Sequence, residues 1–578
     1  MSTEMRNRGV AAVFYEIADL LELQGVAFRP QAYRRAASAI EQLDVEIATA
    51  VANGDHRDIS GVGEAIAKKI EEIVKTGDLE YLERLRSETP PGLLEIMAVP
   101  DIGPKTAMVL HRELGVSSLA ELKEAALAGK VRVLKGFGER TEERILSGIK
   151  TLESKGRRAY LGEALPVARA YVEYLRGQVH LDHIDICGSL RRGKETIGDI
   201  DILVGCDDSQ TVTEAFVRYE RVDEVVVSGA TKTSVRLAGG FQVDLRIVEL
   251  SSYGAALQYF TGSKEHNVLI RKVGIEKGLK VNEYGVFERD SGLRLAGDTE
   301  DDVYGALGLP WIPPELREDA GEVEAARQGA LPELLQESEV KGDLHVHSDW
   351  SDGSDSIDDI VAAAAARGHK FIAITDHTQS LSIANGLSPE KVLAQIGEVR
   401  KAEDRAGSGI RVFAGSEVDI LSDGSLDLPS SVLRELDVVI ASVHSRMRME
   451  PGQMTDRLVT AIRSGAVDII GHPTGRIIGR RDPANMDLAA VLDSARENGV
   501  MMEINSFPDR LDLRDAHCRM AKEMGVMMSI GTDSHSIRHL DYLRFGIITA
   551  RRGWLERGDV LNTLDPAAVE KKLRGRRA

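Results

Sequence analysis

A chain of 578 residues is too long for one hydrophobic core, so roughly three to five domains are expected. Apolar residues make up 43% and charged residues 29%, the balance of a folded protein in water. No apolar run is long enough for a membrane span, and the polar first ten residues are unlike a secretory leader. Three cysteines without a CxxC pair exclude a disulfide scaffold and suit a reducing, cytoplasmic compartment; a net charge of −19 excludes a uniformly basic coat but not local cationic clefts.

Residues 10–150 read as short amphipathic helices broken by glycine turns. Ser60-Gly61-Val62-Gly63, Pro100-Asp101-Ile102-Gly103 and Lys135-Gly136-Phe137-Gly138 each precede a helical stretch, the pattern of helix-hairpin-helix units. Glycine lets the backbone N–H groups at the second helix's start approach a phosphate, where the helix dipole favours an anion. Gly61, Gly63, Gly103, Gly136 and Gly138 are therefore candidate DNA contacts, of a kind that reads the backbone and not the sequence. A plain helical packing unit is the rival reading. In the second unit Asp101 replaces the first glycine and puts a negative charge on the phosphate path.

From about residue 183 the period becomes that of strands, over residues 183–187, 199–205, 224–228 and 241–248. Here Gly188-Ser189-Leu190-Arg191-Arg192-Gly193 is followed by Gly198-Asp199-Ile200-Asp201. Asp199 and Asp201 are two apart on a strand, so both carboxylates leave the same face and could hold two Mg²⁺. Asp244, in Phe-Gln-Val-Asp-Leu-Arg-Ile, is the candidate third carboxylate from a neighbouring strand. Ser189 and Arg192, on the turn before Asp199, suit phosphate oxygens. The bland alternative is an edge strand with surface aspartates. Residues 254–315 return to helix and short strands, with four cations and one anion between Arg271 and Lys280. The Glu-rich stretch after Pro313-Pro314 reads as a linker or a solvated helix.

Beyond Gly342, apolar strands over residues 371–374, 412–414, 438–441, 469–470, 501–504 and 527–530 alternate with helical stretches, the rhythm of a β/α barrel. Nine candidate metal ligands follow in a fixed order, several of them where these runs end: His345, His347, Asp352, His377, Glu417, His444, His472, Asp533 and His535. Imidazole with carboxylate suits Mn²⁺, Zn²⁺ or Fe²⁺ better than Mg²⁺, and a cluster of two or three such ions mostly serves phosphoester chemistry.

The motif around Ser189 and Asp201 resembles that of family X DNA polymerases, the polymerase β-like nucleotidyltransferases. That resemblance implies nucleotide-binding roles for Gly188, Ser189, Arg192, Tyr259, Phe260, Gly262, Asn267 and Arg271. It implies metal-holding roles for Asp199, Asp201 and Asp244, with Asp244 on the primer side. It also puts Lys69 at the family's lyase-nucleophile position, with Arg29 and Tyr33 in the 5′-phosphate pocket. Ala65 stands where a companion lysine is expected, and Lys264 where vertebrate-type enzymes carry an acidic residue. Residues from His345 onward resemble the polymerase and histidinol phosphatase (PHP) domain, with a suitable residue at every ligand position.

The expected architecture is a multidomain α+β and α/β chain. It comprises an N-terminal helical domain (1–90), a helix-hairpin-helix fingers-like domain (91–152), a palm with a mixed sheet (153–250), a thumb-like nucleotide-selection domain (251–315), a linker (316–339) and a PHP distorted TIM-like barrel (340–578). The implied function is a DNA-directed DNA polymerase filling short gaps in base excision repair, with a metal-dependent 3′→5′ exonuclease or 3′-end-processing activity in the barrel. Gapped or primer-template DNA and deoxynucleoside triphosphates are the implied partners, and a monomer is the expected state. Its rivals are a PHP phosphatase or nuclease with a vestigial polymerase half, and a non-catalytic DNA-end-binding scaffold.

Overall fold

The computed structural model describes residues 7–574, except residues 24–25, 27–28, 42–46, 48–49, 52–53, 58, 60–61, 77–78, 89–91, 98, 100–101, 135, 156–157 and 230. It divides into two units, Met1–Arg157 and Arg158–Ala578. The first is helical among its described residues. Glu64–Thr76 shows why: Ile66, Ala67, Ile70 and Ile73 make one buried stripe, while Lys68 and Lys75 stay in water. Pro104 opens the helix Pro104–Leu114, and Gly115 closes it in a left-handed conformation with φ 71°. The core around Ile96, Ile102, Leu110 and Ile149 also takes in Leu23 from the helix Asn7–Leu23. The two helical domains expected to meet at residue 90 thus share core contacts inside one unit.

In the second unit, five strands form a mixed sheet in the order His183–Ile186, Ile200–Gly205, Gln242–Val248, Lys232–Leu237, Val222–Ser228. The Ile200–Gly205 and Gln242–Val248 pair is parallel and the rest are antiparallel. The helices Leu161–Gln178 and Ser209–Val217 pack on it through a stack of Tyr171, Phe216 and Tyr219. Lys232–Leu237 lies outside the strand-like runs of the sequence because Lys, Thr, Ser and Arg interrupt its apolar pattern; Thr233 and Ser234 are buried nonetheless. The outer strand Val222–Ser228 leaves Val225, Val226 and Val227 exposed.

Beyond the sheet, Ser263 caps the helix Lys264–Glu276, and three antiparallel strands follow. Glu300 is the electrostatic centre of this region. Its carboxylate takes hydrogen bonds from Arg191 (2.8 and 2.7 Å), Arg317 (2.6 Å) and Trp311 (3.0 Å). The Glu-rich stretch after it is neither a loose linker nor a solvated helix. Its short helix Glu322–Arg327 buries Val323, Ala326 and the Glu322 carboxylate, which pairs with buried His266 at 2.7 Å. Leu334 and Leu335 are buried too, so the connection is anchored at two points, with exposed residues between them.

Seven parallel strands, in chain order, then form the barrel sheet from Gly342–Asp343 to Met528–Gly531. A parallel bridge between Val346 and Ser534 brings the first and last strands' extensions together and nearly closes the ring. The first strand is only two residues long, too short for a periodic signal. Leu511 and Phe545 of the barrel belong to the same apolar cluster as the palm sheet, and Arg476 donates to Glu195 at 2.7 Å. No described helix is long and apolar enough to cross a membrane.

Burial works against the Glu300 charge, but Arg317 and Arg191 outweigh it and hold the pKa at about 2, below the usual 4.5. A depressed carboxylate pKa contributes stability above the ordinary value and loses it as pH falls toward the folded one. Glu300→Gln should therefore cost on the order of 3 kcal/mol at pH 7, a deficit that narrows between about pH 4.5 and 2. Thermal melting of both proteins over that pH range measures it.

Two candidate metal-dependent active sites

The palm site grows from two adjacent parallel strands. Asp201 and Asp244 are register partners on Ile200–Gly205 and Gln242–Val248, and Asp199 stands just before the first of them. Asp199 is exposed, Asp201 half-buried and Asp244 buried. Gly188 faces them with φ 62°, and a Cβ there would fall 2.1 Å from Asp201 Oδ2. Only glycine suits that position, on backbone and on space.

These carboxylates are unequally satisfied. Asp244 is clamped by Lys232 Nζ (2.9 Å) and Gln242 Nε2 (2.9 Å), which outweigh burial and lower its pKa. Burial, then Asp199, then Asp244 push the Asp201 pKa up to about 7. A carboxylate so destabilised by its neighbours is short of positive charge, and that fits divalent cations held among the three.

A cavity of about 680 Å³ opens beside Asp199 and Asp201. Gly188, Ser189, Arg192, Tyr259, Phe260, Gly262, Asn267 and Arg271 all line it, so every nucleotide-site residue inferred from the sequence shares one space with two of the carboxylates. Tyr259 and Phe260 end the helix Tyr253–Thr261 and meet edge to face. Asn267 is locked, donating to the Tyr259 carbonyl at 2.7 Å and accepting from Gln258 at 2.9 Å. Sequence reasoning missed Arg158 as a lining cation and Lys232 as the partner of Asp244, since neither falls in a local motif; Lys194 and Lys264, next to the two nucleotide-site turns, line the cavity as well.

The barrel ligands sit at or just beyond the C-terminal ends of its strands, where barrel chemistry is built. Three overlapping groups have ligand atoms within 4.8 Å of one another: His347, Asp352, His377 and His535; His345, His347, Glu417 and Asp533; His377, Glu417 and His444. His472 joins through Glu417 at 2.8 Å. Both Glu417 oxygens, His345 Nε2, both His347 ring nitrogens and His377 Nδ1 are buried without a hydrogen-bond partner. Buried polar atoms left unpaired are costly, and a set of them aimed at common points fits divalent metal ions.

Charge in this cluster is sharply divided. Burial, then His377, drives the His347 pKa down to about 3, whereas Glu417 and Asp419 overcome burial and raise that of His444 to about 10. Asp352 and Asp533 likewise overcome burial to raise His535 to about 9. Two ligands, His472 (φ 26°) and Asp533 (φ 54°), adopt strained positive-φ backbone, costing about 1–3 kcal/mol each. Partners from the strand Met501–Asn505 secure them: Glu503 Oε2 accepts from the His472 amide (2.5 Å) and Asn505 donates to Asp533 (3.1 Å). Glu503 Oε1 also contacts His345 Nδ1 at 2.6 Å. Glu503, Asn505 and Asp419 were not recognised as supporting residues from sequence, since acidic and amide residues in a strand carry no spacing signal.

In the helical unit, Gly63, Gly103 and Gly138 each precede a helix and accept its first backbone hydrogen bonds. These three and Gly136 are exposed, and a Cβ on any of them would meet nothing within 4 Å. At Gly63, Gly103 and Gly138 neither packing nor a positive φ requires a glycine, which leaves room for an outside group, whereas Gly136, at φ 90°, is glycine for its backbone. Gly61 and Asp101 lie outside the described residues. Lys69 borders a cavity of about 650 Å³ with Lys68, Tyr81 and Arg84, its Nζ 4.6 Å from the Tyr81 ring centre. Burial lowers its pKa against the pull of Glu72, and Arg29 and Arg84 add to the lowering. Tyr33 stacks behind Tyr81 at 6.3 Å.

Family models match in order along the chain: a helix-hairpin-helix domain at residues 5–79, a SAM-like helix-hairpin-helix tandem at 93–151, the DNA polymerase beta palm at 166–235, the DNA polymerase beta thumb at 256–318 and the PHP domain at 343–507. Asp244, Asp533 and His535 fall outside these matches and join their sites through the fold. The chain is 38% identical over 573 residues to the "DNA polymerase/3'-5' exonuclease PolX" of Bacillus subtilis (strain 168), covering 99% of this chain and 100% of that one. A probable phosphatase of Thermoanaerobacter sp. (strain X514) is 33% identical over 205 residues, 33% of this chain and 78% of its own length. One of Caldicellulosiruptor saccharolyticus is 33% identical over 190 residues, 31% of this chain and 73% of its own length.

Glu503→Gln should weaken metal binding in the barrel about 10- to 100-fold while leaving the fold intact, because His345 and His472 lose their common anchor. Competition against a chelator of known affinity, followed by metal analysis, reads the change.

Proposed function

The chain belongs to the family X DNA polymerases that carry a C-terminal PHP domain, and on that footing we propose that it fills short gaps during DNA repair and processes 3′ ends in its barrel. The observation that carries this is the presence of two separate donor sets in one chain: three palm carboxylates, two of them lining a nucleotide-sized cavity, and nine ligands in the barrel. Mg²⁺ held by Asp199, Asp201 and Asp244, and two or three Mn²⁺ or Zn²⁺ ions in the barrel, would supply the Lewis acidity for phosphoryl transfer and for phosphodiester hydrolysis respectively.

The residues divide the remaining work. Ser189 and Arg192 hold triphosphate oxygens, Tyr259 to Gly262 form the wall against which the sugar is selected, and Asn267 and Arg271 face the base pair. In the barrel Arg510, 3.6 Å from Asp533, is the cation available to stabilise charge developing on the scissile phosphate. The exposed hairpin glycines bind the DNA backbone. We take the working form to be a cytoplasmic monomer acting on gapped or primer-template DNA and deoxynucleoside triphosphates. A small-molecule phosphatase is less favoured, because the probable phosphatases resemble only a third of the chain.

A 5′-labelled primer on a one-nucleotide gap, with Mn²⁺ and with or without deoxynucleotides, tests both sites. Asp201→Ala should lower extension at least about a hundredfold and spare 3′ shortening, and His345→Ala should do the reverse. Loss of both activities in either variant would sink the two-site reading. The lowered Lys69 pKa, in a cavity that Lys68 and Arg84 share with Glu64 and Glu72, also favours a 5′-deoxyribose-phosphate lyase. Borohydride should then trap wild-type protein on an incised abasic site and leave Lys69→Ala untrapped.

A further inference from the structure

The turn that carries Ser189 and Arg192 is seated against the barrel. Arg192 Nε donates to Glu318 Oε1 at 3.0 Å, and its Nη1 donates to the Thr261 carbonyl at 2.5 Å. Two edges of the guanidinium are thereby fixed, leaving Nη2 for a ligand in the cavity that Arg192 lines. Glu318 is itself held by Arg552, whose Nη1 donates to Glu318 Oε1 at 3.1 Å and to the main-chain carbonyl of Arg192 at 2.6 Å. Arg552 is the last residue of the barrel helix Leu543–Arg552. Its Nε and Nη2 are anchored on Asp515 Oδ2, at 3.0 and 2.7 Å, and its side chain is only 6% exposed.

A second contact of the same helix points the same way. Gly193, the next residue of the turn, presses on Ile548, and a Cβ there would fall 2.3 Å from Ile548 Cγ2. The turn therefore rests on the barrel helix through one apolar contact and one charge-assisted hydrogen bond, with Glu318 bridging Arg192 and Arg552. Without Arg552, Arg192 would lose its main-chain anchor, and Glu318 would lose the partner that seats it against the Arg192 guanidinium. Both effects oppose binding of a triphosphate.

We infer that Arg552, a residue of the barrel, is a positioning residue of the polymerase site: through Glu318 and the Arg192 carbonyl it sets the Arg192 guanidinium for the nucleotide triphosphate. The inference rests on the reading of Arg192 as a triphosphate contact. It makes the barrel part of the polymerase apparatus independently of the barrel's own metal centre.

The test uses the full-length protein on one-nucleotide-gapped DNA, measuring KM and kcat for the deoxynucleotide, with 3′ shortening as an internal control. Arg552→Ala should raise KM about tenfold with little change in kcat and keep 3′ shortening within about twofold of wild type; Arg552→Lys should recover part of the loss. In an Arg192→Ala background, Arg552→Ala should add nothing, since it acts through Arg192. If Arg192→Ala alone leaves KM unchanged, the nucleotide-site reading fails and takes this inference with it. If Arg192→Ala raises KM but Arg552→Ala does not, or the two effects multiply in the double variant, this inference alone is overturned. Should Arg552→Ala lose both activities together through misfolding, Glu318→Gln takes its place in the same cycle, and an unchanged KM there overturns the inference as well.

Discussion

Carboxylates crowd together in a folded chain only where positive charge stands among them, and the layout of the second unit follows from how that demand is met. Glu300 and Glu417 make the contrast plain. Both are buried, but Glu300 is saturated by Arg191, Arg317 and Trp311, whereas neither Glu417 oxygen has a hydrogen-bond partner although five histidines approach them. The first arrangement is complete within the protein and serves the fold; the second is complete only with cations from outside. The palm lies between these extremes, since Lys232 and Gln242 satisfy Asp244 while Asp201 remains crowded by its neighbours. Whether a buried acid is architecture or machinery is thus decided by what occupies its lone pairs.

Much of both sites was legible because their key residues come in short, chemically specific runs. Gly188 to Gly193 with Gly198 to Asp201, and the His-rich segments of the barrel, carry their meaning within a few positions. What could not be read is what depends on pairing across the fold. Glu503 reaches His345 across 158 residues, and Arg552 reaches Glu318 across 234; nothing in the spacing of either announces it. The strand Lys232–Leu237 was hidden because a central strand can bury threonine and serine when its neighbours satisfy them, which breaks the apolar alternation. The Glu-rich stretch misled in the opposite sense. Composition suggests solvent, but Glu322 is buried against His266 and Arg317 against Glu300, so charge that reads as solubility is internal pairing.

The same physics bears on how palm and barrel are joined. The joint is an apolar cluster containing Leu511 and Phe545, a glycine pressed on Ile548, and ion pairs led by Arg476 with Glu195. Such a joint mixes the composition of a core with that of an interface, and the connecting stretch 316–339 is tied down beside it through Val323, Ala326, Leu334 and Leu335.

The outer palm strand Val222–Ser228 ends the sheet order among the described residues and turns three consecutive valines outward. Edges of this kind are templates for a second copy's strand, and proteins restrain them with charge. Asp223 and Glu224 precede the valines, Glu224 pairing with Arg236 at 2.9 Å, and the chain as a whole carries −19. That mutual repulsion fades as the pH approaches the isoelectric point near 5.3. The acidic surplus, which looks at odds with a DNA-handling protein, is therefore also a charge that opposes edge-to-edge association of copies, and mild acidification weakens that opposition.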